Sequence, residues 1–390
     1  MAFAGANRTG LYYIPEVTWG TTPATPALTP FRYTGESINQ NLEYITSDEI
    51  RSDRMTADLV QVDASNGGGM DFELSYGAFD PFIEAAMMAD FGTAVGITAN
   101  TDISATVTTN VLSDTAVGSA FANVVVGQWI KVAGFTNSEN NGFMRVSAKA
   151  DDNTITVDKT LVTEAAGNAI TITGESLRNG AIRKFFTIQK RFNDATAVLY
   201  NNFRGCYVNG MSLNFETGSI LTGSFDLLGK NSDMGTTAIS GQTDNAAASA
   251  DVMNAVGNVK NIEFANDPTT ARFLSLSMDL ANNLREQKAV GTLGAAGIGL
   301  GRLEVSGSIS IYFEDEVEYN KYVNATSFAV SFRVEDSSGN AYIFTFPNVK
   351  YESMSANSGG TDTDVVLDAT WRAILDPTTV CMIQIDRFAA

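Results

Sequence analysis

The stretch MDFELSYGAFDPFIEAAM, residues 70–87, changes its period halfway along. Up to Tyr76 it alternates, with Met70, Phe72, Leu74 and Tyr76 on one side and Asp71, Glu73 and Ser75 on the other. Period two is the pattern of a strand that buries one face. After Asp80 and Pro81 the apolar residues Phe82, Ile83, Ala86 and Met87 fall on one side of a helix. Asp80 suits an N-cap and Pro81 the first helical position, so a strand is expected to give way sharply to a short helix.

The same succession recurs in the second half of the chain. RFLSLSMDLANNLRE (272–286) alternates Leu274, Leu276, Met278 and Leu280 against Ser275, Ser277, Asp279 and Ala281. A glycine-rich connection (287–301) leads to RLEVSGSISIYF (302–313), where Val305, Ile309 and Ile311 oppose Glu304, Ser306, Ser308 and Ser310. The helix candidate EDEVEYNKYVN (314–324) follows, with acidic residues at its start, where the helix dipole favours them. Three further strands, 327–336, 341–353 and 363–375, complete the set.

Upstream, SINQNLEY (37–44) is a strand followed by a long polar connection (46–69). After residue 179 come strand candidates within 183–198, 205–216 and 219–230. Strand, long connection, strand, helix and three strands therefore occur twice. Asn41-Leu42-Glu43 even stands where the second copy has Asn283-Leu284-Arg285. The expected fold is mainly β, with two tandem sandwich or barrel domains, each with one short flanking helix. The first comprises 31–93 with 179–236, and the second 259–390.

Residues 94–178 interrupt the first copy. They are rich in Thr, Ala, Val and Asn, and hold four short strand candidates separated by turns such as Asp151-Asp152-Asn153. A small inserted β-sandwich is expected there. Residues 1–30, broken by Pro15, Pro23, Pro26 and Pro30, read as an extended arm. Its Tyr12, Tyr13 and Trp19 favour packing, with a neighbouring chain as one candidate. Residues 237–258, small and polar, read as a linker.

The 390 residues include 44 acidic and 25 basic ones, a formal charge of −19. That argues against a nucleic-acid grip, which needs clustered Lys and Arg; solubility is the plain reading of the charge, and an acidic surface that stays close to DNA without sticking is a second. The chain has no histidine, which removes Ser-His-Asp and Cys-His catalysis and the commonest metal ligand. GGG (67–69) and GIGLG (297–301) lead into strands and lack a following Lys-Ser/Thr, so neither is a phosphate loop. The acidic clusters Asp151-Asp152 and Glu314-Asp315-Glu316 are read as solvated carboxylates. No catalytic, cofactor or metal site is expected. Cys206 and Cys381 are read as buried thiols. No stretch is long and apolar enough for a membrane helix. The N-terminus lacks the pattern of a signal peptide, so a cytosolic origin is expected.

Three segments carry a likeness to a known family: 31–55 with 67–87, 276–286 with 301–323, and 341–376. Through them the chain resembles the tail tube proteins, or major tail proteins, of bacteriophages with long non-contractile tails. The resemblance implies a structural virion protein, assembled in the host cytoplasm and located in the tail. Its sheets join between subunits into a barrel, and the resulting rings stack into a conduit for DNA. A tape measure and a tail terminator are the implied further partners. It also implies that the long connections reach the adjacent ring. Here these run from Thr46 to Gly68, with Asp48, Glu49, Arg51, Asp53, Arg54 and Asp58, and from Arg285 to Gly301, with Arg285 and Lys288. Residues 94–178 would be an immunoglobulin-like decoration. The tandem copy departs from the single-domain hexamers of many relatives and points to a trimeric, pseudo-hexameric ring. The polar strand faces, Asp71, Glu73 and Ser75 with Asp279, Glu304, Ser306 and Ser308, are expected to line the lumen. The alternative is a surface protein binding a receptor or carbohydrate through the insert. That would require exposed aromatics there, where Trp129 and Phe135 have strand-like, core-favouring contexts.

Overall fold

The computed structural model describes residues 5–116, 118–264 and 272–390. Residues 1–4 of the expected arm and 265–271 of the expected second domain lie outside it.

Strand 59–73 pairs with 39–46 on one side and with 222–229 on the other, where Met70 faces Phe225. Strand 222–229 in turn pairs with the C-terminal part of the long strand 199–216. Strand 304–312 repeats this arrangement. It pairs with 273–281 and with 366–373, where Gly307 faces Trp371, and 366–373 pairs with the C-terminal part of the long strand 341–357. In each half the N-terminal part of the long strand turns into a second layer. There 199–206 pairs with 186–192, and 341–349 with 328–335. The repeat seen in the sequence is therefore a repeat of pairings.

The halves join directly. Residues 210–216 pair with 275–281, Met211 opposite Leu280, so the inner strands of both halves form one continuous eight-stranded sheet. One edge of that sheet is the run 35–46, which pairs along strand 59–73 through 35–36 and 39–46, and the other is the 350–357 end of strand 341–357.

Alternation puts Met70, Phe72 and Leu74 inside, as their period requires. Phe72 stacks on Phe225 at 4.7 Å. Helix α1 (Asp80–Met87) buries Phe82, Ile83 and Met87, and its Phe82 stacks on Phe186 of the second layer at 4.5 Å. Pro81 stands in the first helical turn as expected, but Asp80 does not cap. Its carboxylate instead accepts from Tyr342 Oη and from Arg387 Nη1 (2.6 Å), tying α1 to the second half. Burial raises the Asp80 carboxyl, with the Tyr342 and Arg387 bonds acting against it. Helix α2 (Val317–Val323) is shorter than its acidic lead-in implied. Glu314, Asp315 and Glu316 precede it, and Asp315 Oδ1 accepts from the Val317 amide at 2.9 Å. In the second half Gly307 admits the Trp371 ring. A Cβ there would lie 2.5 Å from Trp371 Cζ2 and 2.1 Å from the Ser277 carbonyl oxygen.

The expected arm and linker are built into the fold. Strand 9–15 pairs with 186–192, and 27–30 pairs with 9–15, so the packing that the aromatic residues favoured is found within the same chain. Residues 243–244 pair with 27–28, and Met253 is fully buried.

Residues 97–173 form a separate seven-stranded module with its own core, which includes Phe121, Ile130, Met144 and Ile172. The last residues of the expected insert, 175–178, form a strand that belongs elsewhere: it pairs with 384–387 of the second half. Several contacts fix the module there. Trp129 Nε1 donates to Thr345 Oγ1 (3.0 Å), Gln384 Nε2 to the Gly127 carbonyl (2.9 Å) and Arg178 Nη2 to the Val126 carbonyl. Phe143 stands edge-on to Phe388 at 5.0 Å.

Asp386 lies at this junction, wholly buried, opposite Ser176 in the pair and accepting from Gln384 Nε2 at 2.7 Å. Burial pushes its carboxyl up to about 7, against the pull of its hydrogen bonds. An unfolded aspartate ionises near pH ~3.9. Between these values the folded chain keeps a proton that the unfolded chain has lost, so this group costs stability as pH rises from about 4 to about 7. Asp386→Asn should therefore be near neutral at pH ~4 and stabilising by on the order of a few kcal/mol above pH ~8. Denaturant melts at the two pH values check this. Equal effects at both would show that the carboxyl does not titrate there.

Candidate assembly interface

One face of the eight-stranded sheet packs on the core, and the other bears the alternate residues. Asp71 and Glu73 lie on this second face, exposed and half-buried respectively. Asp279 and Ser308 are exposed on it, and Glu304 and Ser306 half-buried. The six come from three strands of one sheet and share its face through the internal pairing. Burial raises the Asp279 carboxyl.

Ser75 departs from the set. It is 1 % exposed, accepts from Arg32 Nη1 at 3.2 Å and bridges to Val252. The alternation that marks it as outward is intact, but residues 250–253 cross over the strand end and cover it. Arg32 also donates to the Ala250 carbonyl at 2.6 Å.

Sequence reading missed further members of the face. Glu216, Asp226, Glu352 and Asp368 add carboxylates. Arg372 is held between Glu304 (3.6 Å) and Glu352. The period-two pattern of 222–229 and 366–373 contained this signal. Between the charges run cross-strand hydroxyl pairs at matching positions in the two halves. Ser212 bonds Ser224 (2.8 Å) in the first and Ser353 bonds Thr370 (2.7 Å) in the second, with Ser277 and Ser308 (2.8 Å) beside them. Such hydroxyls satisfy one another, and the face offers mostly carboxylates to anything passing it. A polyanion meets repulsion there rather than a grip.

The connections expected to reach outward differ from each other. Residues 39–46 and 59–73 form a hairpin whose tip holds Asp48, Glu49, Arg51, Asp53, Arg54 and Asp58, mostly exposed. Arg51 pairs with Asp53 within the tip at 2.6 Å. The second hairpin, 285–288 with 295–299, folds back on its own chain. Arg285 is exposed and donates to the Leu300 carbonyl (3.4 Å), while Lys288 forms an ion pair with Asp63. Both segments were expected to reach a neighbouring ring; the base of the second packs on its own chain, while its tip, with Val290 and Leu293, is exposed.

Among the described residues no cluster of His, Cys, Asp or Glu has metal-binding geometry, and no helix is long and apolar enough to cross a membrane. Asp151 and Asp152 close a turn, the first accepting from the Asn153 amide (2.9 Å) and the second paired with Lys149 (2.9 Å). In the inserted module Trp129 and Phe135 are both buried, Trp129 against the second half rather than in the module's own core.

No curated protein matches the chain in sequence. A family model described as phage tail tube protein matches residues 6–373, nearly the whole length. The chain thus belongs to the phage tail tube protein family, structural proteins of the virion tail.

Proposed function

We propose that three copies close into a ring, that rings stack into a tube, and that the acidic sheet face lines a conduit for DNA. The observation that carries this is the seam inside the chain. Strand 210–216 ends the first half and is completed by 275–281 of the second, while the equivalent edge, 350–357, and the opposite edge, residues 35–39 leading into strand 39–46, pair with no further strand among the described residues. Open edges of this length invite pairing. Matching the halves through Phe225 and Trp371 sets Lys350 in the place of Gly210 and Tyr351 in the place of Met211. Matching Gly67 with Glu304 sets Asn39 in the place of Ala281. The seam between copies then pairs Lys350 with Asn39 and Tyr351 with Ile38. Eight strands from each of three copies would give a barrel of 24.

In this reading the protein is structural and not an enzyme. Its partners are further copies, the proteins that set and end tail length, and DNA in transit. The inserted module is an immunoglobulin-like decoration on the outer layer. Electron microscopy of the purified protein tests the proposal. Tubes with three chains per ring are expected, and six chains per ring or a persistent monomer would overturn it.

A further inference from the structure

The two hairpins at the ends of the inner strands occupy equivalent places and meet different surroundings. In the second, Ala295 and Ile298 pack on Tyr207 of the first half, beside Leu228 and Phe185, and Leu284 joins them. Arg183 Nη1 donates to the Ile298 carbonyl at 3.3 Å. The first hairpin carries large apolar residues that stand exposed: Leu42, Tyr44 and Ile45 on one strand, Leu59 and Val60 on the other. Leu42 holds the position of Leu284 in the repeated Asn-Leu pair. Leu284 is packed in that cluster, whereas Leu42 is 41 % exposed.

The surface that the second hairpin covers also has a counterpart, and it is open. Asn348 and Ile374 are bonded across the second half as Tyr207 and Leu228 are paired across the first. Asn348 lines a cleft of about 530 Å³ with Phe328 and Pro347. Ile374 and Leu375 stand exposed next to Asp376 of its rim. The other wall comes from the inserted module, through Gly127 and Arg145.

We infer that the base of the first hairpin of one copy seats on Asn348, Ile374 and Leu375 of the adjacent copy in the same ring, with the inserted module as the outer wall. The inference rests on the ring reading above and goes beyond it, because it assigns the hairpin base a lateral role. The apolar belt at 42–45 and 59–60 matches the uncovered apolar surface. The charged tip, 47–58, extends past it and remains available to a neighbouring ring. The inserted module then acts as part of a subunit contact, which explains why it is bolted to the second half rather than tethered.

The test is a chain carrying Leu42→Cys and Leu375→Cys, assembled into tubes and oxidised. Cys206 and Cys381 are buried and do not compete. On a denaturing gel the monomer band should be lost, and the ladder should close at the number of chains that microscopy counts in one ring. A ladder running beyond one ring, or intact tubes without cross-links, overturns the seat while leaving the ring in place. If that variant fails to assemble, hydrogen exchange on wild-type tubes decides the matter. Amides of 42–45 and 374–375 should gain protection together relative to the monomer, and unchanged exchange at 374–375 overturns the seat. A wild-type chain that stays monomeric removes the ring itself.

Discussion

Ala356→Pro is expected to abolish tube formation while leaving the monomer folded. The internal seam shows why this position is decisive. There the Thr217 amide donates to the Leu274 carbonyl, so by the alternation of an antiparallel ladder Phe215 also directs its amide across the seam. Ala356 holds the place of Phe215 on the open edge. Proline removes that donor and sets a ring against the incoming strand. A lost donor with its partner left unsatisfied costs about 2 kcal/mol, or roughly thirtyfold in association at each seam. Three seams in the proposed ring would compound the effect. Ser355→Pro is the contrasting variant, because its amide faces 366–373 inside the chain and its loss should lower the melting temperature of the monomer. Sedimentation and melting of both variants check the pair. Tubes of Ala356→Pro at wild-type concentrations would show that this edge is not a seam.

Phe225→Ala should produce the largest loss of stability in the monomer. The ring is fully buried, stacked on Phe72 at 4.7 Å and 5.4 Å from Phe82 of α1, so its removal opens a cavity between sheet and helix. Such truncations cost about 3–5 kcal/mol, a large share of the net stability of a domain. A fall of roughly 5 °C in melting temperature is expected for a chain of this size. Phe313→Ala, at a ring 43 % exposed, should change little and serves as the comparison. A loss below ~1 kcal/mol for Phe225→Ala would mean that the core repacks around the gap, contrary to the close stacking.

The sequence made the inner sheet legible wherever one face of a strand is buried and the other is not. Met70 to Leu74 and Val305 to Ile311 alternate because each step flips the side chain, and the structure keeps that alternation. Local rules failed where a distant segment intervened. Ser75 has the right parity but lies under residues 250–253. Asp80 has the right chemistry for a cap but is taken by Tyr342 and Arg387, more than 260 residues away. Residues 9–15 and 243–244 look like loop sequence because proline, glycine and threonine surround them, yet they are edge additions whose partners are remote. The two hairpins were indistinguishable by sequence position. What separates them is that the surface under the second hairpin, Tyr207 with Phe185 and Leu228, belongs to the same chain.

That difference bears on how a ring would grow. A linked pair of like halves keeps one of every two equivalent junctions within a single molecule, where the loss of translational and rotational freedom on association is avoided. Closure of the proposed three-copy ring would then need two encounters instead of five, and nucleation would depend less steeply on protein concentration. The linked and free junctions are also free to diverge in composition, which leaves three places per ring where the tube would part under load.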